Sequence, residues 1–256
     1  MSSDKYNKLA GKHILIFGGT SGIGFGVAAA SLASSASITI SSSSESRLQS
    51  AIEKLRDEFP KAVISSQVCD LSSPSAEQEI ESLFEKIGKA DHIVYTAADK
   101  LAMMKVQDIT RDKIIAAGQL RFIAPLLVAK VGSRYLSPGP ESSIIMTGGT
   151  IAERPAPDWT VVAGFAGGLS SMARNLALEL KPIRVNVVNP GLVDTTLWDA
   201  EMTPENKKRM FSYLVGKSPT GKVATAADIA EAYIYLMKDS NISGRIISSD
   251  SGSSLV

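Results

Sequence analysis

The sequence predicts an α/β fold, with a doubly wound, seven-stranded parallel sheet and helices on both faces. Seven short and mostly apolar runs are typical of strands that a sheet buries on both faces. Helical patterns separate nearly all of these runs, and that alternation favours parallel strands joined by right-handed crossovers. The chain has 256 residues, 44% of them hydrophobic, which suits one domain over residues 1–256 with a single core. The strand candidates are residues 13–18, 37–40, 62–68, 92–97, 143–148, 183–189 and 244–249.

Composition and charge narrow the function classes. The chain has 27 Lys and Arg residues against 26 Asp and Glu residues, so it has no basic excess for binding nucleic acid. The single cysteine, Cys69, lies in an apolar run, and the polar start "MSSDKYNKLAGK" lacks the apolar segment of a secretory signal. We find no stretch near 20 apolar residues, and so expect no membrane span. These features together predict a soluble cytoplasmic protein, and we expect no metal site.

A glycine-rich turn follows the first predicted strand. In "GGTSGIGFGVAAASLA", Gly18, Gly22 and Gly24 lie where a tight turn opens a helix. Without β-carbons, these positions let backbone N–H groups approach a pyrophosphate, and the helix N-terminus favours its negative charge. The context of strand, turn and helix therefore predicts dinucleotide binding, with a strand–helix turn that binds nothing as the alternative.

Four segments in order resemble the short-chain dehydrogenase/reductase family: "GGTSGIG", "CDLS", "YTAAD" and "IRVNVVNPGLVDT". The resemblance covers essentially the whole chain and implies a single Rossmann-type domain with a nicotinamide cofactor. It places Asp70 and Leu71 near the adenine, Ala97 and Ala98 beside the ribose, and Thr195 near the carboxamide. The other cofactor contacts that it implies are Gly18, Thr20, Ser21, Gly22, Ile23, Gly24, Pro190, Gly191 and Val193.

The end of the second strand predicts which nicotinamide cofactor is bound. A carboxylate there would hydrogen-bond the ribose hydroxyls and repel a 2′-phosphate. This sequence instead has Ser41, Ser42, Ser43 and Ser44, with Arg47 close by. We therefore predict NADP(H); the alternative is a solvated serine-rich turn that tolerates either cofactor.

The catalytic positions of the family are altered. Alignment on "LALELKPIRVN" puts Val162 at the family's catalytic tyrosine, Ala166 at its lysine, Gly149 at its serine and Gln119 at its asparagine. The resemblance implies that the tyrosine would protonate the alkoxide left by hydride delivery to a ketone. Ordinary ketone reduction should therefore be poor. An iminium carbon, which is already cationic, needs no proton from the enzyme.

The segment "ERPAPDWTVVAG" offers candidates for a replacement site. Asp158 is either a cap or first-turn acid of the following helix, or an acid, base or cation-stabilising group in the vacated site. Trp159 would then form an apolar or cation–π wall. Arg121 is a candidate to orient Asp158 or a substrate carbonyl. Val162 and Gln119 are the predicted substrate contacts at the altered positions.

Residues 192–219 occupy the position of the family's substrate lid. Their aromatic and methionine content, including Trp198, suits a bulky apolar small-molecule substrate. An amphipathic helix that packs on its own domain is the alternative. Gly164, Gly167 and Gly168 indicate either close helix packing at a subunit interface or room for a bulky substrate, and the family resemblance implies a homodimer or homotetramer.

The loss of Tyr and Lys together with "PDW" resembles the fungal bifunctional reductase/Diels–Alderases of malbrancheamide and paraherquamide-type indole alkaloid biosynthesis. That resemblance implies NADPH-dependent reduction of an iminium derived from a cyclic dipeptide, followed by an intramolecular cycloaddition in the same pocket. Two alternatives remain open. One is a non-redox isomerase or dehydratase that keeps the cofactor as a scaffold, and the other is a catalytically inactive NADPH-binding partner protein.

Overall fold

A computed structural model describes residues 4–256 and contains the seven-stranded sheet that the sequence predicts. All strands pair in parallel, in the order β3-β2-β1-β4-β5-β6-β7, which confirms the doubly wound fold. The strands are β1 (His13–Phe17), β2 (Ser37–Ser42), β3 (Ile64–Val68), β4 (His92–Tyr95), β5 (Ser143–Thr147), β6 (Arg184–Pro190) and β7 (Ile246–Ser249).

Helices cover both faces of the sheet. One face packs against α1, α2 and α8, and the other against α3, α5 and α6. A π-helical turn, Gln119–Ile123, joins α4 to α5. The helices are α1 (Gly22–Ala33), α2 (Glu45–Glu58), α3 (Ala76–Ile87), α4 (Arg111–Gly118), α5 (Ala124–Gly132), α6 (Thr160–Glu179), α7 (Pro204–Val215) and α8 (Ala226–Lys238).

The central strand shows why the strand sequences are apolar throughout. Successive side chains of a strand point to opposite faces. Ile14 and Ile16 of β1 belong to the core on one face of the sheet, whereas Leu15 and Phe17 belong to the core on the other. Helices cover both faces, so neither set of side chains contacts solvent. The strand sequence therefore does not alternate between apolar and polar residues.

The strand register brings five carboxyl ends to one edge of the sheet. Phe17 pairs with Ser41 on one side and with Tyr95 on the other, and at the far side of the sheet Pro190 pairs with Ser249. The loops that follow these strands therefore meet above a common edge, which is where open α/β sheets bind their ligands.

The helical stretch Arg111–Gly132 corrects one sequence-based expectation. It is 22 residues long. Within residues 4–256 it is the one helix that is long and apolar enough, by length and composition, to cross a membrane. We expected no such stretch. Val128, Ala129 and Val131 are fully buried in the core beside the sheet, so this part of the stretch is a core helix of the domain.

One buried group makes the stability of this fold depend on pH. His92 of β4 is 1% exposed, and its Nδ1 lies 2.9 Å from Ser143 Oγ on β5. Burial, together with the positive charge of Arg184, lowers the pKa of His92 to about 3. Between pH 3 and pH 6.5 the unfolded chain therefore binds a proton at His92 that the folded chain does not bind. The stability that neutral His92 contributes is complete above pH 6.5 and is lost as the pH falls toward 3.

We expect the free energy of unfolding to fall below pH 6.5 by up to about 1.4 kcal/mol per pH unit from this histidine. His92→Gln should flatten the pH dependence, whatever it does to the stability at neutral pH. His13→Gln, at the chain's other histidine, is the control and should leave the slope in place. Urea titrations between pH 4 and 8 measure the slopes, and equal slopes for wild type and His92→Gln would contradict the assignment.

Candidate active site

A cavity of about 790 Å³ lies at the carboxyl edge of the sheet. Most of the predicted cofactor residues line it: Gly18, Thr20, Ser21, Gly22, Ile23, Gly24, Ser41, Ser42, Ser43, Arg47, Asp70, Leu71, Ala97, Ala98, Pro190, Gly191 and Thr195. Two do not. Ser44 instead caps α2, its hydroxyl accepting from Arg47 N at 3.4 Å, and Val193 is buried beside a β-bridge to Ala224.

The glycine turn is packed too tightly for side chains. Gly18 has φ 84°, and a β-carbon there would lie 2.6 Å from Ala97 N. A β-carbon on Gly24 would collide with the Gly18 carbonyl oxygen. Thr195 packs at 3.3 Å against the position that a Gly22 side chain would take. These glycines therefore bring the turn, the loop after β4 and the loop after β6 into direct contact.

The N-terminus of α1 and the end of β2 fit a dinucleotide. Ser21 is the N-cap of α1 but makes no side-chain capping bond, and the first turn holds no acidic residue, so its N–H groups face the cavity without a competing side-chain acceptor. Ser41 is 1% exposed, and its hydroxyl finds no partner within residues 4–256. A buried hydroxyl without a partner beside a cavity is the kind of group that a bound ligand satisfies.

The loop after β2 adds a positive charge. Arg47, in the first turn of α2, donates from Nη2 to Ser43 Oγ at 3.0 Å. Ser42 and Ser43 line the same part of the cavity. A guanidinium supported by hydroxyl groups is suited to a phosphate monoester, because it offers charged donors in a fixed plane.

Gln119 lies elsewhere than the sequence suggested. Its side-chain amide donates to the Leu71 carbonyl oxygen at 2.9 Å, and it is not among the residues that line the cavity. Instead of facing a substrate, Gln119 holds the loop after β3, in which Asp70 accepts from Ser72 N at 3.0 Å. The longer side chain therefore supports the predicted adenine side of the site.

The helix that would carry the family's tyrosine and lysine is apolar where it meets the cavity. The α6 residues that line the cavity are Val162, Ala166 and Leu169. Gly149, at the position of the family's serine, also lines the cavity, and its N–H donates to Asn189 Oδ1 at 3.0 Å. This part of the described chain offers no ionisable group to a reacting atom.

Two other ionisable side chains that line the cavity are held in their neutral forms. Tyr95 is buried, and its hydroxyl donates to the Leu120 carbonyl oxygen at 2.6 Å. Burial raises the pKa of Tyr95 above its ordinary value, and burial with the nearby charges of Glu79 and Asp70 raises the pKa of Cys69 to about 12. Neither group is a ready proton source or nucleophile at neutral pH.

Arg121 lines the cavity, but its partner is Asp99 rather than Asp158. Its Nη2 lies 3.2 Å from Asp99 Oδ1 and donates to the Asp99 carbonyl oxygen at 2.6 Å. The Arg121 side chain is 16% exposed, and its Nε has no partner within the described residues. Asp99 also lines the cavity; it follows the two alanines after β4, and the sequence motifs did not predict this acidic group as part of the site.

Asp158 lies at the rim of the cavity. It is exposed, has φ 67°, and its carbonyl oxygen accepts from Met104 N at 2.8 Å. The N-cap of α6 is Trp159, without a side-chain capping bond, so the Asp158 carboxylate does not cap the helix. Trp159 lines the cavity, whereas Asp158 does not.

The segment 192–219 borders the cavity through Leu192, Leu197, Trp198 and Leu214. The Trp198 indole donates to the Val193 carbonyl oxygen at 3.0 Å. No residue of α7 is fully buried, so this helix does not pack into either core of the domain. Phe211, Leu214 and Val215 of α7 are half-buried, so the alternative of an amphipathic helix that packs on its own domain stays open beside that of a substrate lid.

Two segments that the sequence did not predict as part of the site also reach the cavity. Residues 250–256 contribute Asp250, Ser251, Ser253 and Val256, and the loop after β5 contributes Arg154. Residues 250–256 directly follow the last strand. That position could have predicted their place at the cavity, because the carboxyl ends of all the parallel strands lie at this edge of the sheet.

Replacing Arg47 tests the predicted cofactor preference. Arg47→Ala should weaken NADPH binding by about tenfold, because one charge-assisted contact to a phosphate is lost, and should leave NADH binding unchanged. Arg56→Ala, on the exposed C-terminal turn of α2, is the matched control. Fluorescence titration with both cofactors measures the affinities, and tighter binding of NADH than NADPH by the wild type would overturn the preference.

Comparisons with known proteins agree with this geometry. A family model described as an SDR-like Rossmann domain matches residues 5–256. The chain is 41% identical to the short-chain dehydrogenase/reductase fsr5 of Gibberella fujikuroi, over 99% of each chain. It is 38% identical to malC of Malbranchea aurantiaca over 95% of each.

Solved structures give the same relationship. The structure of MalC Reductase/Diels-Alderase from Malbranchea aurantiaca superimposes with a TM-score of 0.93 at 37% identity, covering 98% of this chain and all of that one. A small-chain dehydrogenase in complex with NADPH matches with a TM-score of 0.78 at 28% identity, covering 96% of this chain and all of that one. The protein therefore belongs to the short-chain dehydrogenase/reductase family, as a member with Val162 and Ala166 at the family's tyrosine and lysine positions.

Proposed function

We propose that this oxidoreductase uses NADPH to reduce an iminium derived from an indole-containing cyclic dipeptide and then guides an intramolecular Diels–Alder cycloaddition in the same cavity. The observation that carries the proposal is the apolar surface that α6 presents to the cavity through Val162, Ala166 and Leu169. A site built in this way has no family-type group to protonate an alkoxide. It suits a substrate that needs no proton.

An iminium meets that requirement. NADPH, when bound, supplies a hydride to the iminium carbon, and the carbon–nitrogen π electrons become the lone pair of the product amine. Charge balances without a proton from the protein. The residues of the chain then have three tasks, which are to orient the substrate, to exclude water and to stabilise its positive charge before the transfer.

The cavity has an apolar surface suited to a polycyclic apolar substrate. Its volume of about 790 Å³ is shared with the predicted cofactor site, so the lining and not the volume supports this substrate class. Two indoles and several aliphatic side chains line it: Leu101, Ile151, Trp159, Leu197, Trp198 and Leu214. A cycloaddition needs a folded conformation of one molecule and no further chemical group, so a confining apolar wall suits this second step.

Asp99 and Arg121 are the charged pair that we assign to substrate binding. The Asp99 carboxylate is the counter-charge that an iminium would meet on the substrate side of the cavity. The Arg121 guanidinium, which lines the cavity, is a donor for a carbonyl oxygen of a cyclic dipeptide. Asp158, at the rim, remains a second candidate for the counter-charge, because its neighbour Trp159 lines the cavity.

The resemblance to MalC supports this proposal. That protein's structure is described as a reductase/Diels-Alderase, and it aligns with nearly the whole of this chain. The structural relative bound to NADPH supports the choice of cofactor. We also propose that residues 192–219 form a substrate lid, and that the enzyme works in the cytoplasm as a homo-oligomer.

A homo-oligomer accounts for an exposed apolar face. Ile114, Ile115 and Leu126 on the α4–α5 stretch are each 40–45% exposed. On α6, which packs beside this stretch through Phe122 and Phe165, β-carbons added to Gly164 and Gly167 would meet nothing within 4 Å. These two glycines do not line the cavity. They therefore favour the interpretation of a close-packed subunit interface over that of room for substrate.

The catalytic proposal is tested by single-turnover oxidation of NADPH with an indole diketopiperazine-derived iminium. Asp99→Asn removes the counter-charge with little change of shape, so the rate should fall by about 10²-fold or more while NADPH affinity stays near that of the wild type. Asp57→Asn on the exposed face of α2 is the control. Asp158→Asn, measured in parallel, decides between the two carboxylates.

Each result has a distinct meaning. A loss of rate in Asp158→Asn alone would transfer the counter-charge to the rim loop. Product formation without oxidation of NADPH would replace the proposal with an isomerase or dehydratase that uses the cofactor as a scaffold. Tight NADPH binding with neither oxidation nor product would indicate an inactive partner protein.

Replacing Ile115 tests the interface. Ile115→Lys places a charge on the proposed contact, so sedimentation velocity should show a smaller species than the wild type at the same concentration. Val63→Lys, at another exposed apolar position, is the control and should sediment like the wild type. A wild-type protein that sediments as a monomer would contradict the proposed assembly.

A further inference from the structure

Residues 250–256 form a compact turn that borders the cavity. The turn follows β7, whose last residue, Ser249, pairs with Pro190 at the carboxyl edge of the sheet. Asp250, Ser251, Ser253 and Val256 line the cavity. None of these residues takes part in the proposed hydride transfer.

The turn is stabilised from within. The Asp250 carboxylate accepts from Gly252 N at 3.0 Å, from Ser254 N at 2.8 Å and from Ser253 Oγ at 3.2 Å. Ser251 and Gly252 both have positive φ, 58° and 75°. A carboxylate that accepts three local donors fixes the conformation of the turn, so the segment presents a defined surface to the cavity.

The turn is also seated against the predicted cofactor side of the site. A β-carbon on Gly191 would lie 2.8 Å from the Asp250 Cα, so the two backbones are in direct contact. A β-carbon on Gly252 would lie 2.9 Å from Pro219 Cβ, at the end of the lid segment. The turn therefore occupies the space between the loop after β6 and the lid segment.

Two side chains attach the turn to neighbouring loops. Arg154, in the loop after β5, donates from Nη1 to the Ser253 carbonyl oxygen. Ser218 donates from Oγ to the Ser251 carbonyl oxygen at 3.0 Å. Arg154 makes no ion pair within residues 4–256, so its guanidinium is available to this backbone contact, 99 residues along the chain.

We propose that the 250–256 turn is a fixed wall of the substrate cavity and that Arg154 is the positioning residue that holds it, so that the two together limit the size of the substrate. This role of the turn and of Arg154 rests on the proposed function in one respect, which is that the substrate binds in this cavity. It follows from the contacts of the turn and requires no particular reaction. Without the Arg154 contact, the turn would remain hydrogen-bonded to the lid side only, where Ser218 Oγ and Thr220 N both donate to the Ser251 carbonyl oxygen.

The chain's two tryptophans permit a test that needs no substrate. Trp159 and Trp198 both line the cavity, so all of the tryptophan fluorescence reports on access to it. Quenching is measured with saturating NADP⁺ and two neutral quenchers, the small acrylamide and the bulkier nitroxide TEMPOL. Arg154→Met should raise the quenching constant for TEMPOL by about twofold and that for acrylamide by less, because the opening admits larger molecules.

Two further variants and a control complete the design. Arg154→Lys keeps a hydrogen-bond donor, so its TEMPOL quenching constant should stay close to that of the wild type. Ser218→Ala should increase TEMPOL quenching as Arg154→Met does. Arg56→Met, on the exposed face of α2, should quench like the wild type. If Arg154→Met does not fold, Ser218→Ala alone decides.

The proposal would be overturned if Arg154→Met and Ser218→Ala both had the quenching constants and the melting temperature of the wild type. This result is independent of the hydride-transfer assay, because quenching requires no turnover. An enzyme that fails to oxidise NADPH can still protect its tryptophans from TEMPOL, and an active enzyme can lack that protection.

Discussion

The close approach of the glycine turn to the loop after β4 is the constraint on which the site depends. Gly18 has no room for a β-carbon because Ala97 N occupies that space. The residues after Ala97 are therefore fixed relative to the cofactor cradle. From this position Leu101 N donates to Glu201 at 2.8 Å and Met104 N donates to the Asp158 carbonyl oxygen at 2.8 Å. One backbone contact thus connects the cofactor side of the cavity to the lid segment and to the rim of α6.

The fold could be predicted, and most of the residues predicted to hold the cofactor do line one cavity, because both patterns are encoded locally. Apolar runs indicate buried strands, and glycines beside a strand indicate where a backbone must approach a phosphate. The strand ends are encoded less clearly. The sequence predicts a fourth strand that extends to residue 97, but the strand ends at Tyr95, because the next residues leave the sheet to pack on Gly18. The hydrophobic pattern does not encode that departure.

The part of the cavity around Arg121 is less predictable because it depends on contacts between distant residues. Arg121 pairs with Asp99, 22 positions earlier, and Gln119 reaches Leu71, 48 positions earlier. The π-helical turn that carries both residues changes the direction of their side chains relative to a regular helix. Residues two apart on a helix point in different directions, so Gln119 supports the cofactor loop while Arg121 faces the cavity.

The loss of the tyrosine and lysine leaves a site whose polar groups are largely engaged with the protein itself. Thr147 bonds the Tyr95 carbonyl oxygen at 2.7 Å, Tyr95 bonds Leu120, and Gly149 bonds Asn189. The exceptions among the described residues that line the cavity include Ser41 Oγ, Asp99 Oδ1 and Arg121 Nε, which are buried without a hydrogen-bond partner. A donor already fixed by Asp99 requires little reorganisation when a substrate oxygen arrives. Under the proposed function, such a preorganised donor would orient a substrate more strongly than the same group would in water, and control of the reaction would rest on orientation and charge.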